Sequence, residues 1–225
     1  MGEISENRDV QEMKISEQEN YKKIKPETDS DPQKEKDFFD EVFFKDNKNI
    51  EDEKQQNPHE EEVDGKKYYY DDNGKLYRVE NELEFNSEYE IKGYKYITDD
   101  KGRITSAEGE LHTKEHEGRL LIKDSIEDIG KGDEKEGDDR GHLIGDQFEG
   151  SNGLENMIPQ NADINRNDYK NLENELAKEV KVGKEVHIKI EPVYEGDSRR
   201  PDAIVVTYSI NGEESIRIFP NNKEV

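Results

Sequence analysis

One stretch of this chain, NDYKNLENELAKEVK at residues 167–181, repeats its apolar side chains convincingly at helical spacing. Tyr169, Leu172, Leu176, Ala177 and Val180 recur along one face, and Gly183 follows as a stop. A single amphipathic helix has to be covered by something else, and its flanks supply strands. KKYYYDDNGKLYRVE, from residue 66, places two apolar runs around Asn73-Gly74, a two-residue hairpin signal. YEIKGYKYITDDKGRITSAEGEL reads as further short strands turning at Asp100-Lys101-Gly102. Beyond the helix, HIKIEPVYEG, DAIVVTYSI and ESIRIF are strands, the last two joined around Asn211-Gly212. Strands, one central helix and strands again predict an α+β domain over residues 66–225, a normal size for one core.

Composition explains why the domain starts so late. Charged residues make up 41% of the 225 and hydrophobic ones 28%, too little for one dense core throughout. Residues 1–62 carry 20 acidic against 10 basic side chains with no sustained period. An acidic, disordered leader or linker is therefore expected over 1–65. Its one apolar patch, DFFDEVFF at 37–44, reads either as a docking helix or as a local packing site, the second being favoured. With no cysteine there are no disulfides or thiolate metal sites. MGEISENRDVQEM has neither the basic nor the apolar region of a secretory signal, and no apolar run nears the roughly 20 residues of a membrane span. The expectation is a soluble protein whose export, if any, needs no cleaved signal.

Two histidine-centred stretches compete for chemistry. His112-Thr113-Lys114-Glu115-His116 has the H-x-x-E-H order of inverted zinc peptidases, which needs both imidazoles on one face of a helix. Gly109 and Gly118 bracket it, so a stable helix there is unfavourable and a solvated loop is expected. The second stretch is DDRGHLIGDQFEG, residues 138–150, running on through SNGLENMIPQNADINR into the helix. Leu143, Ile144, Phe148, Leu154, Met157 and Ile158 could pin this polar loop to the core. Taken singly, its residues have ordinary readings: Asn165 and Asn167 as helix caps, Glu173 as a surface charge, His142 as a half-buried ring.

Together they are not ordinary. Asp139-Arg140-Gly141-His142 resembles the DRGH signature of the DNA/RNA non-specific endonucleases with a ββα-metal (His-Me finger) core. Asn156, Asn165 and Glu173 keep that family's intervals of nine and eight residues. G-S-N-x-x-x-N-M-I-P-Q-N resembles the branch found as C-terminal toxin domains of type VII-exported polymorphic toxins of Gram-positive bacteria. Tyr169…Leu172-Glu173, Gly183–Val186, Ser198–Pro201 and Tyr208–Glu213 extend the likeness over roughly 90–220.

The resemblance implies a fold, an antiparallel sheet with one long helix around the ββα core, and a set of roles. His142 would be the general base, and a neutral imidazole suits that task near pH 7. Asn165 would be the direct ligand of Mg²⁺ (or Mn²⁺), a hard ion that keeps most of its own waters. Glu173 would hold metal-bound waters or orient a basic neighbour. Asn156 would brace the loop or His142, Asp139 would brace the loop, and Arg140 would meet phosphate. Ala177 stands where the family carries a further arginine, so Arg166, Lys170, Arg199 or Arg200 would have to bind the nucleic acid. The implied substrate is DNA, with RNA as an alternative. The implied partners are a cognate immunity protein and an export chaperone, with no membrane insertion and action in a target cell's cytoplasm. The chain would be a toxin cassette or a piece of a longer protein.

Charge opposes this reading: outside residues 1–62 the chain still holds 38 acidic against 24 basic side chains, whereas nucleic-acid binding calls for a basic footprint. Lys170, Lys178, Lys181, Lys184, Lys189 and Arg199 crowd one segment, so binding is expected to be weak, salt-sensitive and tolerant of sequence. Two rivals remain: a catalytically dead, nuclease-like binding or decoy module, and a zinc peptidase built on His112, Glu115 and His116.

Overall fold

The computed structural model describes residues 58–222, so the DFFDEVFF patch and most of the expected leader lie outside the described residues. Strands β1 (His59–Val63), β2 (Lys66–Tyr70), β3 (Leu76–Val79) and β4 (Glu82–Leu83) form an antiparallel sheet in chain order. β1 begins inside the stretch expected to be leader. HEEEV has no apolar alternation to announce a strand; it is held by its ladder to β2, with the His59 ring stacked on Tyr70 at 4.7 Å. The expected hairpin between β2 and β3 is present, but its loop runs over residues 71–75. Asp71 Oδ1 accepts the N–H groups of Asn73 and Lys75 and so sets the longer turn.

A second antiparallel sheet has the order β12-β11-β10-β7-β6-β5. Its strands are β5 (Glu88–Ile91), β6 (Tyr94–Thr98), β7 (Ile104–Glu110), β10 (Val186–Val193), β11 (Ala203–Ile210) and β12 (Glu213–Pro220). The Asn211-Gly212 turn is the two-residue type expected, both residues lying at positive φ (50° and 86°). Inward residues alternate along the central strands, with Val186, Ile188 and Ile190 of β10 and Ile204 and Val206 of β11 all buried.

β7 and β10 lie side by side, yet residues 111–185 separate them in the chain, and the candidate catalytic and metal-holding residues singled out above are in that excursion. It contains a short helix α1 (Ile126–Gly130), closed by a reciprocal Ser125–Asp128 cap. A two-stranded ladder follows, β8 (Asp138–His142) with β9 (Met157–Asn161), and then the long helix. That helix starts earlier than its apolar period predicts, as a wide π turn over Ile164–Tyr169 that continues into α2 (Lys170–Lys181). Asn161 caps it, its Oδ1 accepting from the N–H groups of Asp163 and Ile164. Asn165 and Asn167 therefore sit within the first turns and are not the caps. Tyr169, Leu172 and Leu176 are buried as the period requires, and Gly183 ends the helix at φ +83°.

Two buried polar ties set the ladder and its neighbours in place. Asn221, fully buried, donates to the carbonyls of Pro159 and Pro201 and accepts from the N–H of Asn161. Arg78 of β3 meets the Asp124 carboxylate with both terminal nitrogens, one at 2.9 Å, joining the first sheet to the loop before α1. Removing one partner of such a pair would strand a buried charge.

Candidate active site

The ββα unit of β8, β9 and the helix gathers the residues singled out above, and the six expected anchors are all buried: Leu143, Ile144, Phe148, Leu154, Met157 and Ile158. Tyrosines reinforce them. Tyr94 donates its hydroxyl to Phe148 O at 2.6 Å, and Tyr169 donates to Leu143 O at 2.7 Å. Asn156 is fully buried and braces the loop: Oδ1 accepts from Ile144 N–H, and Nδ2 donates to the carbonyls of Ile144 and Ser151. It acts on the backbone and makes no hydrogen bond to His142.

His142 ends β8, buried on one side, with Nε2 2.8 Å from Asn152 Oδ1. The Asn152 amide is oriented by its other end, since Nδ2 donates to Asp146 Oδ1 at 3.4 Å. Asn152 Oδ1 must then accept from Nε2–H, which leaves Nδ1 as the unprotonated nitrogen. Burial pushes the ring below its ordinary value; the Asn152 bond opposes this and the nearby Arg119 guanidinium adds to it. The imidazole is therefore neutral at pH 7.

Asp139 accepts a hydrogen bond from Asn165 Nδ2 at 3.0 Å and a two-pronged one from Arg166 at 2.9 and 2.6 Å. Burial alone would raise its carboxyl, but Arg166 and Asn165 outweigh burial and hold it below the usual range. The Asn165 amide is thereby turned with its nitrogen on Asp139 and its oxygen available. Glu173, half-buried, packs its carboxylate on Gly145 so closely that a β-carbon there would collide with Oε1. Burial drives this carboxyl up to about 7, against the pull of Arg119 and Lys170.

Arg119 was not legible as a site residue. It lies on the loop after β7, yet its charge acts on His142, Asp139 and Glu173 alike. One cation is thus within electrostatic reach of all three residues. The only local signal was an arginine beside the apolar pair Leu120–Leu121 in a polar loop. Asn152 was likewise visible only as one letter of the G-S-N wording.

Of the expected phosphate-binding side chains, Arg140 is exposed and steadied by the carbonyls of Ile122 and Asp124 (3.3 and 3.0 Å). Arg166, 69% exposed, and Lys170 are on the helix beside Asp139 and Glu173. Arg200 is corrected outright: it is 4% exposed and engaged with Asp138, Asn221 and Asn222, so it stabilises the fold and cannot reach a nucleic acid. Arg199 belongs to the same packing region, its backbone N–H on Asp133 and its guanidinium 3.8 Å from Glu82.

The H-x-x-E-H stretch is loop, as its glycines imply. The His112 ring stacks on Tyr94 at 5.3 Å, while His116 Nε2 lies 3.8 Å from both Asp146 and Glu149. Those carboxylates are already met by Lys114 and Lys92, and the zinc-peptidase geometry is absent. Among the described residues no three His, Asp or Glu side chains gather as a metal cage. A caged transition metal does not suit such a donor set. A hard divalent ion does, because one free amide oxygen (Asn165) and one carboxylate without a hydrogen-bonded cation (Glu173) leave most of its shell to water and substrate.

A ββα unit carrying Asp-Arg-Gly-His on its first strand and an amide on its helix is the arrangement of a phosphodiester-cleaving nuclease. The profile of the DNA/RNA non-specific endonuclease family matches residues 85–212, more than half of the chain. The chain belongs to this family. It is 41% identical over 99 residues to the type VII secretion system protein EssD of Staphylococcus aureus strains USA300 and NCTC 8325. That alignment covers 41% of this chain and 16% of EssD, so the chain spans only a small part of the length of these relatives. Among solved structures it is similar to NucA from Streptococcus agalactiae without metal (TM-score 0.45) and with magnesium (0.46). Both are 17% identical and cover 81% of this chain, which covers 90% and 89% of theirs.

Proposed function

We propose that this chain is the nuclease module of a type VII-exported toxin, hydrolysing DNA or RNA without sequence preference, with His142 as general base. The observation that carries this reading is the His142–Asn152–Asp146 chain, which fixes the tautomer of a buried, neutral imidazole. Nδ1 takes a proton from water as the water oxygen attacks phosphorus. The bond from phosphorus to the 3′ oxygen breaks, and that oxygen acquires a proton from solvent. Arg119 and Arg140 offset charge on the phosphate, and Asp139 keeps Asn165 and Arg166 oriented. Asn165 directly, and Glu173 through water, would hold a magnesium or manganese ion, which when bound neutralises charge on the phosphate and on the leaving oxygen.

The likeness to EssD supports export by the type VII route. No helix among the described residues is long and apolar enough to cross a membrane. A nuclease with tolerant substrate choice needs restraint in the producing cell, and a cognate immunity protein covering His142 would supply it, the toxin acting in the cytoplasm of a target cell. Plasmid cleavage with Mg²⁺, abolished by a chelator and by His142→Ala, is the expected result. Tight DNA binding without cleavage would instead favour the inactive decoy module.

A further inference from the structure

Next to His142 opens a cleft of about 430 Å³, well within the range of ligand-holding pockets. One wall is Asn152 and Gly153, so the cleft begins at the residue that holds the general base. The opposite wall is the first sheet, through Lys67 and Tyr69 of β2, and the rim is the loop bearing Leu120, Leu121 and Lys123. That sheet precedes the family-matched residues 85–212.

The chemistry of the cleft is unlike the rest of a chain with net charge −24. Lys67, Lys92 and Lys123 line it, with Lys67 and Lys123 exposed. Arg140 is tied to the backbone on either side of Lys123. Of its three carboxylates Asp124 is met by Arg78, the buried Glu155 has one oxygen on Ser151 and the other 3.9 Å from Arg78, and Glu60 is the exposed acid. Leu121 is 82% exposed and Leu120 41% exposed, an apolar pair that nothing among the described residues covers. The Tyr69 ring is half-buried, with the Arg78 guanidinium 4.5 Å from its centroid. Cations that track a backbone, combined with apolar and aromatic surface, are how proteins hold unpaired nucleotides. A base within a duplex has its faces covered by its neighbours and offers only an edge.

We infer that this cleft is a subsite for one unpaired nucleotide beside the scissile phosphate, its backbone met by Lys67 and Lys123 and its base by Leu120, Leu121 and Tyr69. The inference rests on the nuclease reading of His142 and adds to it a preference for single-stranded over double-stranded nucleic acid.

The test is anisotropy of a labelled single-stranded oligonucleotide, and of its duplex, with the full chain in chelator, beside cleavage of both in Mg²⁺. The variants are Lys67→Ala/Lys123→Ala and Leu121→Ser, all at exposed positions, with circular dichroism confirming the fold. The wild type should bind and cut the single strand in preference. The double lysine variant should weaken single-strand binding on the order of tenfold and lower its salt slope by about 1.4. Leu121→Ser should weaken it roughly fivefold, with KM raised and kcat kept. Equal affinity of both variants and wild type, or tighter binding of duplex, overturns the proposal and assigns the face to another kind of partner. If the wild type cuts nothing while the variants still lose affinity, the catalytic reading fails and the subsite stands. If it cuts and the variants behave as wild type, the reverse holds.

Discussion

His142 and His116 approach the same carboxylate, Asp146, from different elements, and only His142 is held as the proposed general base requires. His142 is reached through Asn152, at the end of a paired strand, with one nitrogen committed and the other free. His116 lies on the loop at 3.8 Å from Asp146 and Glu149, beside two lysines that compete for those carboxylates. The difference lies in how the ring is held, because a general base needs an oriented lone pair and a neutral form near the working pH. A histidine with a carboxylate nearby meets neither demand by itself.

The largest effect that would break this comparison is in catalysis. His142→Ala should lower kcat on plasmid DNA by about 10²–10⁴-fold, and His116→Ala should leave it within about threefold of wild type. Comparable losses in both would sink the distinction. Next comes the loop that carries the held ring. Asn156→Ala strands the Ile144 N–H and two carbonyls in a buried site and should cost about 3 kcal/mol in urea unfolding. A loss under about 1 kcal/mol would show that another group or a water replaces the amide.

A smaller, sharper change is Asn152→Asp. A carboxylate in place of the amide favours the imidazolium, so the acid limb of the kcat/KM profile should move to higher pH. An unmoved limb would mean that His142 is not the titrating base.

The smallest effects are in stability without metal. For His142 the folded value lies below the ordinary 6.5. As pH falls through 6.5 the unfolded chain takes up a proton that the folded ring refuses, and stability drops. For Glu173 the folded value of about 7 lies above the ordinary 4.5. As pH rises between these values the unfolded chain releases a proton that the folded one keeps, so stability again drops. Tm measured in chelator from pH 5 to 7 should therefore rise more steeply in Glu173→Gln than in wild type. Parallel curves would refute the shift.

The strands of the second sheet and the long helix were readable because each carries a local signal: period-two burial in β10 and β11, helical spacing from Tyr169 to Val180, and asparagine–glycine at the last hairpin. β1 was missed because HEEEV is held by pairing alone. The helical residues ahead of Asn167 were missed because Asn161, a strand residue, supplies the cap. At the candidate site, His142, Asn156, Asn165 and Glu173 stood out only through their resemblance to the family's signature and intervals, while the strands β8 and β9 that carry the first of them read as a polar loop.

What the chain alone determined is the helix and the order of the polar side chains ahead of it, which lie at fixed intervals within residues 138–181. Only the tertiary structure decided which cations lie near the ββα unit. Arg119 arrives from a loop before the unit and Lys67 from a separate sheet, while Arg200, equally basic on paper, is buried against Asp138. A charge gains its meaning from the partners within a few ångströms of it, and segments far apart in the chain become such partners only when sheets and loops pack.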